Sequence, residues 1–216
     1  MQNQFKEIPA SRSSIMRRKL VHGIGVNDSN YLTIRDLDGV RFRCPYYIKW
    51  TEMIRRCYSK KSLINRSTYL GCSVCDVWLL FSNFKKWMIN QDWHGKHLDK
   101  DLIKVGNKVY SPEFCRFITP GLNALMTNHG AARGKYPIGV CFHEASGKYS
   151  AQINIKGSRV YLGIYSSPEE AASVYIESKV KVILQAASEQ KDRLIANGLR
   201  LHAESLKSTA SGLNKL

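Results

Sequence analysis

No stretch of this 216-residue chain is apolar for long enough to span a bilayer, and no secretory h-region follows its start. A membrane-spanning or exported protein is not expected; the compartment to expect is the cytoplasm. Acidic side chains are scarce. Seventeen Asp and Glu stand against 33 Lys and Arg, for a net charge of +16. That imbalance favours a polyanionic partner over a neutral or cationic one. No long internal repeat occurs. The six cysteines fall at irregular spacing, which suits free thiols in a reducing compartment rather than a disulfide framework. What the chain does have is 44% apolar residues, enough to build real cores and to argue against wholesale disorder.

The positive charge is unevenly placed. Residues 1–66 hold 14 basic and 5 acidic side chains, residues 67–135 hold 9 and 5, and residues 136–216 hold 10 and 7. Residues 1–25, with Arg12, Arg17, Arg18 and Lys19 among serines, read as a flexible basic arm. Residues 30–43 alternate about Asp38-Gly39, a hairpin signature. Pro45 fits a helix start, with Tyr46, Trp50, Met53, Ile54 and Tyr58 at helical spacing and Lys49, Arg55 and Arg56 opposite. A polar loop is expected over 59–69, and a second helix over 73–90 with Val74, Trp78, Phe81, Phe84, Trp87 and Met88 inward. Residues 97–128 read as strand (97–103), turn at Gly106-Asn107, short strand (115–118) and helix (120–128) capped by Thr119 with Pro120 at its first position. Residues 129–135 suit a hinge. After residue 167 the chain reads helical to about 206, with Asn197-Gly198 as a break.

Residues 136–175 are the most informative. Tyr149, Ala151, Ile153 and Ile155 alternate with Ser150, Gln152, Asn154 and Lys156. Val160, Leu162 and Ile164 alternate with Arg159, Tyr161 and Gly163. Ser146-Gly147 and Lys156-Gly157-Ser158 supply turns, and Ser167-Pro168-Glu169-Glu170 has the form of a capping box. Together these predict three antiparallel strands whose apolar side is covered by one helix bearing Ala171, Ala172, Val174 and Tyr175. The polar residues suit base edges: Gln and Asn pair with adenine N6/N7, Arg with guanine O6/N7, and Lys with phosphate.

This segment resembles the AP2/ERF DNA-binding domain. The match runs through Tyr136, Gly139-Val140, Gly147-Lys148-Tyr149, Ala151, Ile153, Arg159-Val160-Tyr161-Leu162-Gly163, Tyr165, Glu169-Glu170-Ala171-Ala172 and Tyr175. The resemblance implies a sheet whose polar face enters the DNA major groove, with His143, Lys148, Gln152, Asn154, Lys156, Arg159 and Tyr161 as candidate contacts. Ile138, Cys141, His143, Gln152 and Asn154 stand where the family carries other residues, so the sequence preference implied is a different one.

Residues 97–128 resemble the ββα fold of HNH endonucleases, in the register that accompanies an AP2 domain in bacteriophage homing endonucleases. Asp99-Lys100-Asp101, Phe114-Cys115-Arg116, Thr119-Pro120 and Asn123 occupy the corresponding slots. Such chemistry needs a base to deprotonate water and a divalent ion to stabilise the leaving oxygen. Lys100 stands in the histidine's slot and is a poor base between two carboxylates. Phe114 replaces an asparagine. Asp99 and Asp101, at i and i+2 on one strand face, suit Mg²⁺ or another divalent cation. His97 shares that face as candidate base, with His94 as the alternative, and Asn123 and Lys100 complete the candidate set. Cys72 and Cys75 form one CxxC, which Cys44, Cys57 or Cys115 would have to complete; structural zinc is not expected.

The fold class expected is therefore α+β. A flexible arm (1–25) leads to an N-terminal helical, degenerate ββα module (26–128). A linker (129–135) joins it to an AP2/ERF-like three-stranded antiparallel sheet packed on one helix (136–206), followed by a tail (207–216). The function expected is sequence-preferring binding of double-stranded DNA, of the phage homing-endonuclease type and with candidate phosphodiester cleavage. The alternative is a catalytically inactive regulatory or architectural binder. RNA fits less well, because the deep, narrow major groove of A-form helices excludes a sheet. If a phage encodes the chain, the compartment is the host cytoplasm. Target sequence and oligomeric state are left open.

Overall fold

The computed structural model describes residues 5–127 and 135–213, and these form a mixed α+β chain. They divide into two compact units. Residues up to Asp101 with Gly106–Phe117 make the first, and Leu102–Val105 with the chain from Ile118 onward make the second. The division falls near residues 102–118 rather than at the expected linker, of which residues 129–134 lie outside the described residues.

In the first unit the basic segment before residue 25 is not a loose arm over its described part. Ser11 caps helix α1 (Arg12–Met16) by accepting a hydrogen bond from the Ser14 N–H. Arg18 turns inward and donates to the carbonyls of Asn27, Ser29 and Tyr31. A guanidinium that satisfies three backbone acceptors pins a loop through charge-assisted bonds, each worth about 1.5–3 kcal/mol. Composition counts that arginine as surface charge and misses the pin.

Strands β1 (Ile34–Leu37) and β2 (Val40–Arg43) form the expected hairpin about Asp38-Gly39, with Asp36 and Arg41 paired across it. Helix α2 (Pro45–Tyr58) starts at Pro45 and buries Trp50, Met53, Ile54 and Cys57. The Trp50 indole N–H donates to the Trp78 carbonyl at 2.7 Å, which fixes the ring's depth in the core. Two of the cations assigned to the opposite face are drawn into the unit. Lys49 donates to the Lys96 carbonyl, and Arg56 lies over the Tyr69 ring and donates to the Leu98 carbonyl. Ser59 caps a short helix α3 (Lys60–Asn65), and a 3₁₀ turn (Ser67–Tyr69) follows, in place of the polar loop.

Residues 73–90 are not one helix. Strand β3 (Ser73–Val74) pairs in parallel with Val109–Tyr110, then α4 (Asp76–Leu79) and α5 (Phe81–Ile89) are separated by an extended Leu80. Val26 causes the break: its N–H donates to the Leu79 carbonyl and its carbonyl accepts from the Phe81 N–H. That tertiary bridge outweighs local helix propensity, which is a weak preference. The aromatic stripe is core as expected, with Trp78, Phe81, Phe84 and Met88 buried and Trp87 lying against Trp78 and Phe117. Strand β4 is confined to His97–Asp99, shorter than the alternation suggests. The pair Val109–Tyr110 is β5, and β6 (Arg116–Ile118) pairs with β4.

The second unit contains α6 (Pro120–Met126), whose cap Thr119 accepts from the Leu122 N–H. Strands β7 (Val140–His143), β8 (Lys148–Ile155) and β9 (Ser158–Tyr165) form an antiparallel sheet in that order, the expected meander. Helix α7 (Pro168–Ser188) begins at the Ser167 cap, which accepts from the Glu170 N–H, while the Glu170 carboxylate reaches back to the Ser166 N–H. Its first turns lay Ala171 and Ala172 on Val140 and Ala151. Its later turns bring Val180, Ile183 and Ala187 into a second core with Ile195, Leu199 and Ala203 of α8 (Arg193–Leu213), completed by Leu102, Ile118 and Leu122. Among the described residues, no helix is long and apolar enough to cross a membrane.

The break between α7 and α8 falls over residues 189–192, not at Asn197-Gly198, which lies inside α8. Gly198 is there for space: a Cβ would stand 2.3 Å from the Leu102 carbonyl oxygen. In an ordinary helix, Gly→Ala stabilises by about 1 kcal/mol. Here Gly198→Ala should destabilise by about 1–3 kcal/mol, read from the urea midpoint, because the clash forces a backbone shift. A raised midpoint would refute the close approach.

Candidate nucleic-acid interface

Strand register decides which side chains share the sheet's uncovered face. On β7 and β8, Val140 pairs with Ala151, Cys141 with Ser150, Phe142 with Tyr149 and His143 with Lys148. On β8 and β9, Tyr149 pairs with Tyr165, Ser150 with Ile164 and Ala151 with Gly163. The register then slips by one residue, so that Gln152 pairs with Tyr161, Ile153 with Val160 and Asn154 with Arg159. Leu162 is the extra residue of this bulge. Gly163 next to it has φ +136°, and a Cβ there would meet the Tyr165 hydroxyl, which donates to the Leu162 carbonyl. The bulge thus needs glycine at 163 for both backbone and space.

The consequence is a correction to the simple alternation of β9. Val160 stays on the helix side, but Gly163 joins it there and Ile164 moves to the outer face, where it is 46% exposed. The outer face is ordered in rungs: His143 with Lys148; Cys141, Ser150 and Ile164; Gln152 with Tyr161; Asn154 with Arg159. Six of the seven candidate DNA contacts are therefore on one face. The seventh, Lys156, is at the hairpin tip with φ +51°, beside Gly157, as the first residue of a two-residue turn. None of the three strands carries an Asp or Glu. Strand β7 begins at Val140, opposite Ala151, and the Gln152 N–H still donates to the Gly139 carbonyl at 2.8 Å, so the rung of Asn154 and Arg159 is the one that sits on the two-stranded part of β8 and β9.

Hydrogen bonds refine the candidates. The His143 Nε2 lies 2.8 Å from the Ser150 hydroxyl, which is buried. The Gln152 amide donates to the Cys141 sulfur at 3.0 Å. Asn154, Lys148, Arg159 and Tyr161 are exposed, Tyr161 to 62%. The alternation of β8 already put Ser150 on this face, and the family register put Cys141 in one of its contact slots; the member that sequence reasoning missed is Ile164. The signal for Ile164 was present: a glycine inside a strand pattern marks a bulge, and a bulge reverses every later side chain.

The second candidate centre is less coherent. His97 is exposed on β4, and the Asp99 carboxylate accepts the Asp101 N–H at 3.0 Å. Lys100, in the slot of a general base, is 5% exposed. Its ammonium donates to the Asp101 carboxylate and, at 2.8 Å, to the Asn107 carbonyl; the Asn107 amide returns a bond to the Lys100 carbonyl. Burial works against that charge, but the hydrogen bond and charge of Asp101, helped by Cys72 and Asp99, outweigh it and raise the Lys100 pKa. A lysine held protonated cannot accept a proton from water. The Asp99–Asp101 pair is also a poor fit to a divalent ion, since one carboxylate already neutralises an adjacent buried ammonium. Asn123 belongs to the other unit, on α6.

Among the described residues, no three His, Cys, Asp or Glu side chains converge as a metal-ligating group. All six cysteines are free thiols. Burial pushes the Cys57 thiol up to about 12 and raises those of Cys75 and Cys115, which disfavours the thiolate needed for metal ligation. Comparison with protein-family models, with curated proteins and with solved structures finds no match to this chain.

Lys100→Met keeps the apolar stem and deletes the charge. It should cost about 1–3 kcal/mol in urea unfolding at pH 8, since a buried carbonyl loses its donor. Because the folded pKa is raised, the ammonium's contribution is complete below about pH 10.4 and fades as pH climbs through the folded value. The stability gap between wild type and variant should close over that alkaline range. Parallel curves at every pH would show that Lys100 is not a charged pin.

Proposed function

We propose that this chain is a sequence-preferring double-stranded DNA-binding protein whose C-terminal sheet, of AP2/ERF type, lies in the major groove. The observation that carries the reading is the segregation of the sheet. One face is covered by Ala171 and Ala172 of α7. The other gathers His143, Lys148, Gln152, Asn154, Arg159 and Tyr161 without a carboxylate in any of the three strands. A solvated face of a small domain normally mixes charge signs. A face that carries bidentate donors and cations without acids matches what base edges and phosphates require.

Geometry supports the same reading. A groove about 12 Å wide admits a two-stranded ribbon. The ribbon of β8 and β9 bears Gln152, Asn154, Arg159 and Tyr161, and its tip bears Lys156. Arg159 supplies a guanine fork, Gln152 and Asn154 supply adenine pairs, and Lys148 and Lys156 supply phosphate contacts that set the register. The net charge of +16 adds counterion release, so affinity falls steeply with salt.

Phosphodiester cleavage is the second reading. It is favoured by the chain order β4, β6, α6 and by His97 and Asp99 on one strand. The commitment of Lys100 and Asp101 to each other weakens it, and we infer that the chain binds DNA without cutting it.

Selection from a random duplex library should enrich a defined site. For that site Arg159→Ala should lose about 1–3 kcal/mol of binding and relax preference at one base pair. Lys156→Ala should instead weaken all duplexes alike and lower the salt slope by about one. Unchanged binding by Arg159→Ala would remove the sheet from the groove. With Mg²⁺ or Mn²⁺, plasmid substrate should stay intact; nicking that disappears in Asp99→Ala would replace the binding-only reading with that of a nuclease.

A further inference from the structure

The middle of the outer face has a chemistry that hydrogen-bonding readout does not use. Cys141, Ser150 and Ile164 stand opposite one another on the three strands. The Ser150 hydroxyl is buried and taken by His143, and the Cys141 sulfur takes the Gln152 amide. What this rung presents outward is the aliphatic side chain of Ile164, flanked on the same strand face by the Tyr161 ring, with the exposed Cys141 thiol at the rung's other end. The bulge at Leu162-Gly163 put it there; without that slip Ile164 would face α7. An isoleucine displayed between polar readers adds nothing to the core, so a bound partner is where its burial would count. In the major groove, the apolar group that base edges offer is a methyl on pyrimidine C5.

We propose that Ile164, flanked by Tyr161, reads the C5-methyl group of a pyrimidine in the target duplex. The inference rests on the DNA-binding reading of the sheet and adds a specificity determinant to it. Ser150 to Gln152 is two residues of strand, about 6.7 Å, or two base-pair steps of about 3.4 Å. The methyl-bearing base therefore lies about two base pairs from the adenine read by Gln152. Thymine and 5-methylcytosine carry the same group at the same position.

The test starts from the duplex that the full chain selects from a random library. Each thymine is replaced in turn by deoxyuridine, which removes the methyl and leaves every hydrogen-bonding edge intact. In a second arm each cytosine is replaced by 5-methylcytosine. Wild type should lose about fourfold in affinity at one thymine, the worth of one buried methyl, or gain as much at one cytosine. Ile164→Ala should not distinguish the two bases there, and Ile164→Val should be intermediate. The comparison is between two duplexes on the same protein, so a loss of stability in a variant cancels. Indifference of wild type at every pyrimidine in both arms overturns the proposal, as does full discrimination by Ile164→Ala. A library that enriches no duplex overturns the DNA-binding reading itself; enrichment with indifference to methyls removes only the role of Ile164.

Discussion

The close seat of α7 on the sheet is the constraint on which the second unit depends. Ala171 and Ala172 meet Val140 and Ala151, four small or branched side chains in one shallow layer. Bulkier residues at these positions would hold the helix away and leave Ile153 wet. Because the helix lies flush, the sheet has one covered side and one open side; Lys148, Gln152, Asn154 and Arg159 are sorted to the open one, while Ser158, paired with Ile155, lies on the covered side. The capping arrangement of Ser167 and Glu170 fixes where that helix begins, so the seat is set by local chemistry as much as by burial.

The features legible in the sequence were those governed by near neighbours. The Pro45 helix start, the Thr119 and Ser167 caps, the Asp38-Gly39 turn and the period-two alternation of β8 all depend on residues within a few positions of one another. What was not legible depended on partners far along the chain. Leu80 is extended because Val26 bonds to both of its neighbours, and nothing within residues 73–90 announces it. Arg18 and Arg56 look like surface charge until the carbonyls they serve are known. Gly198 looks like a helix breaker until the Leu102 backbone arrives beside it. Which side chains share the sheet's open face was legible on β8, which follows simple alternation; Ile164 was not, because it sits beyond the bulge.

Charge in this chain has two different uses. The exposed cations Lys148, Lys156 and Arg159 have water around them and keep their electrostatic potential for a partner. Lys100 is neutralised by Asp101 and held by the Asn107 carbonyl, and the half-buried Arg18 spends its hydrogen bonds on three loop carbonyls. Cations of this kind hold backbone in place with donors that a phosphate would otherwise take. The placement of each cation therefore matters more than the count.

The core that α7 and α8 share has a practical implication for dividing the molecule. Leu102, Ile118 and Leu122 all precede residues 129–135, yet they belong to the same core as Ile183 and Leu199. A fragment cut within 129–135 to isolate the sheet would be stripped of three apolar plugs and left with a greasy slot along its helical pair. The smallest piece able to keep its own interior dry must start upstream of Leu102, so gene truncation aimed at the sheet alone should yield sticky, poorly behaved material.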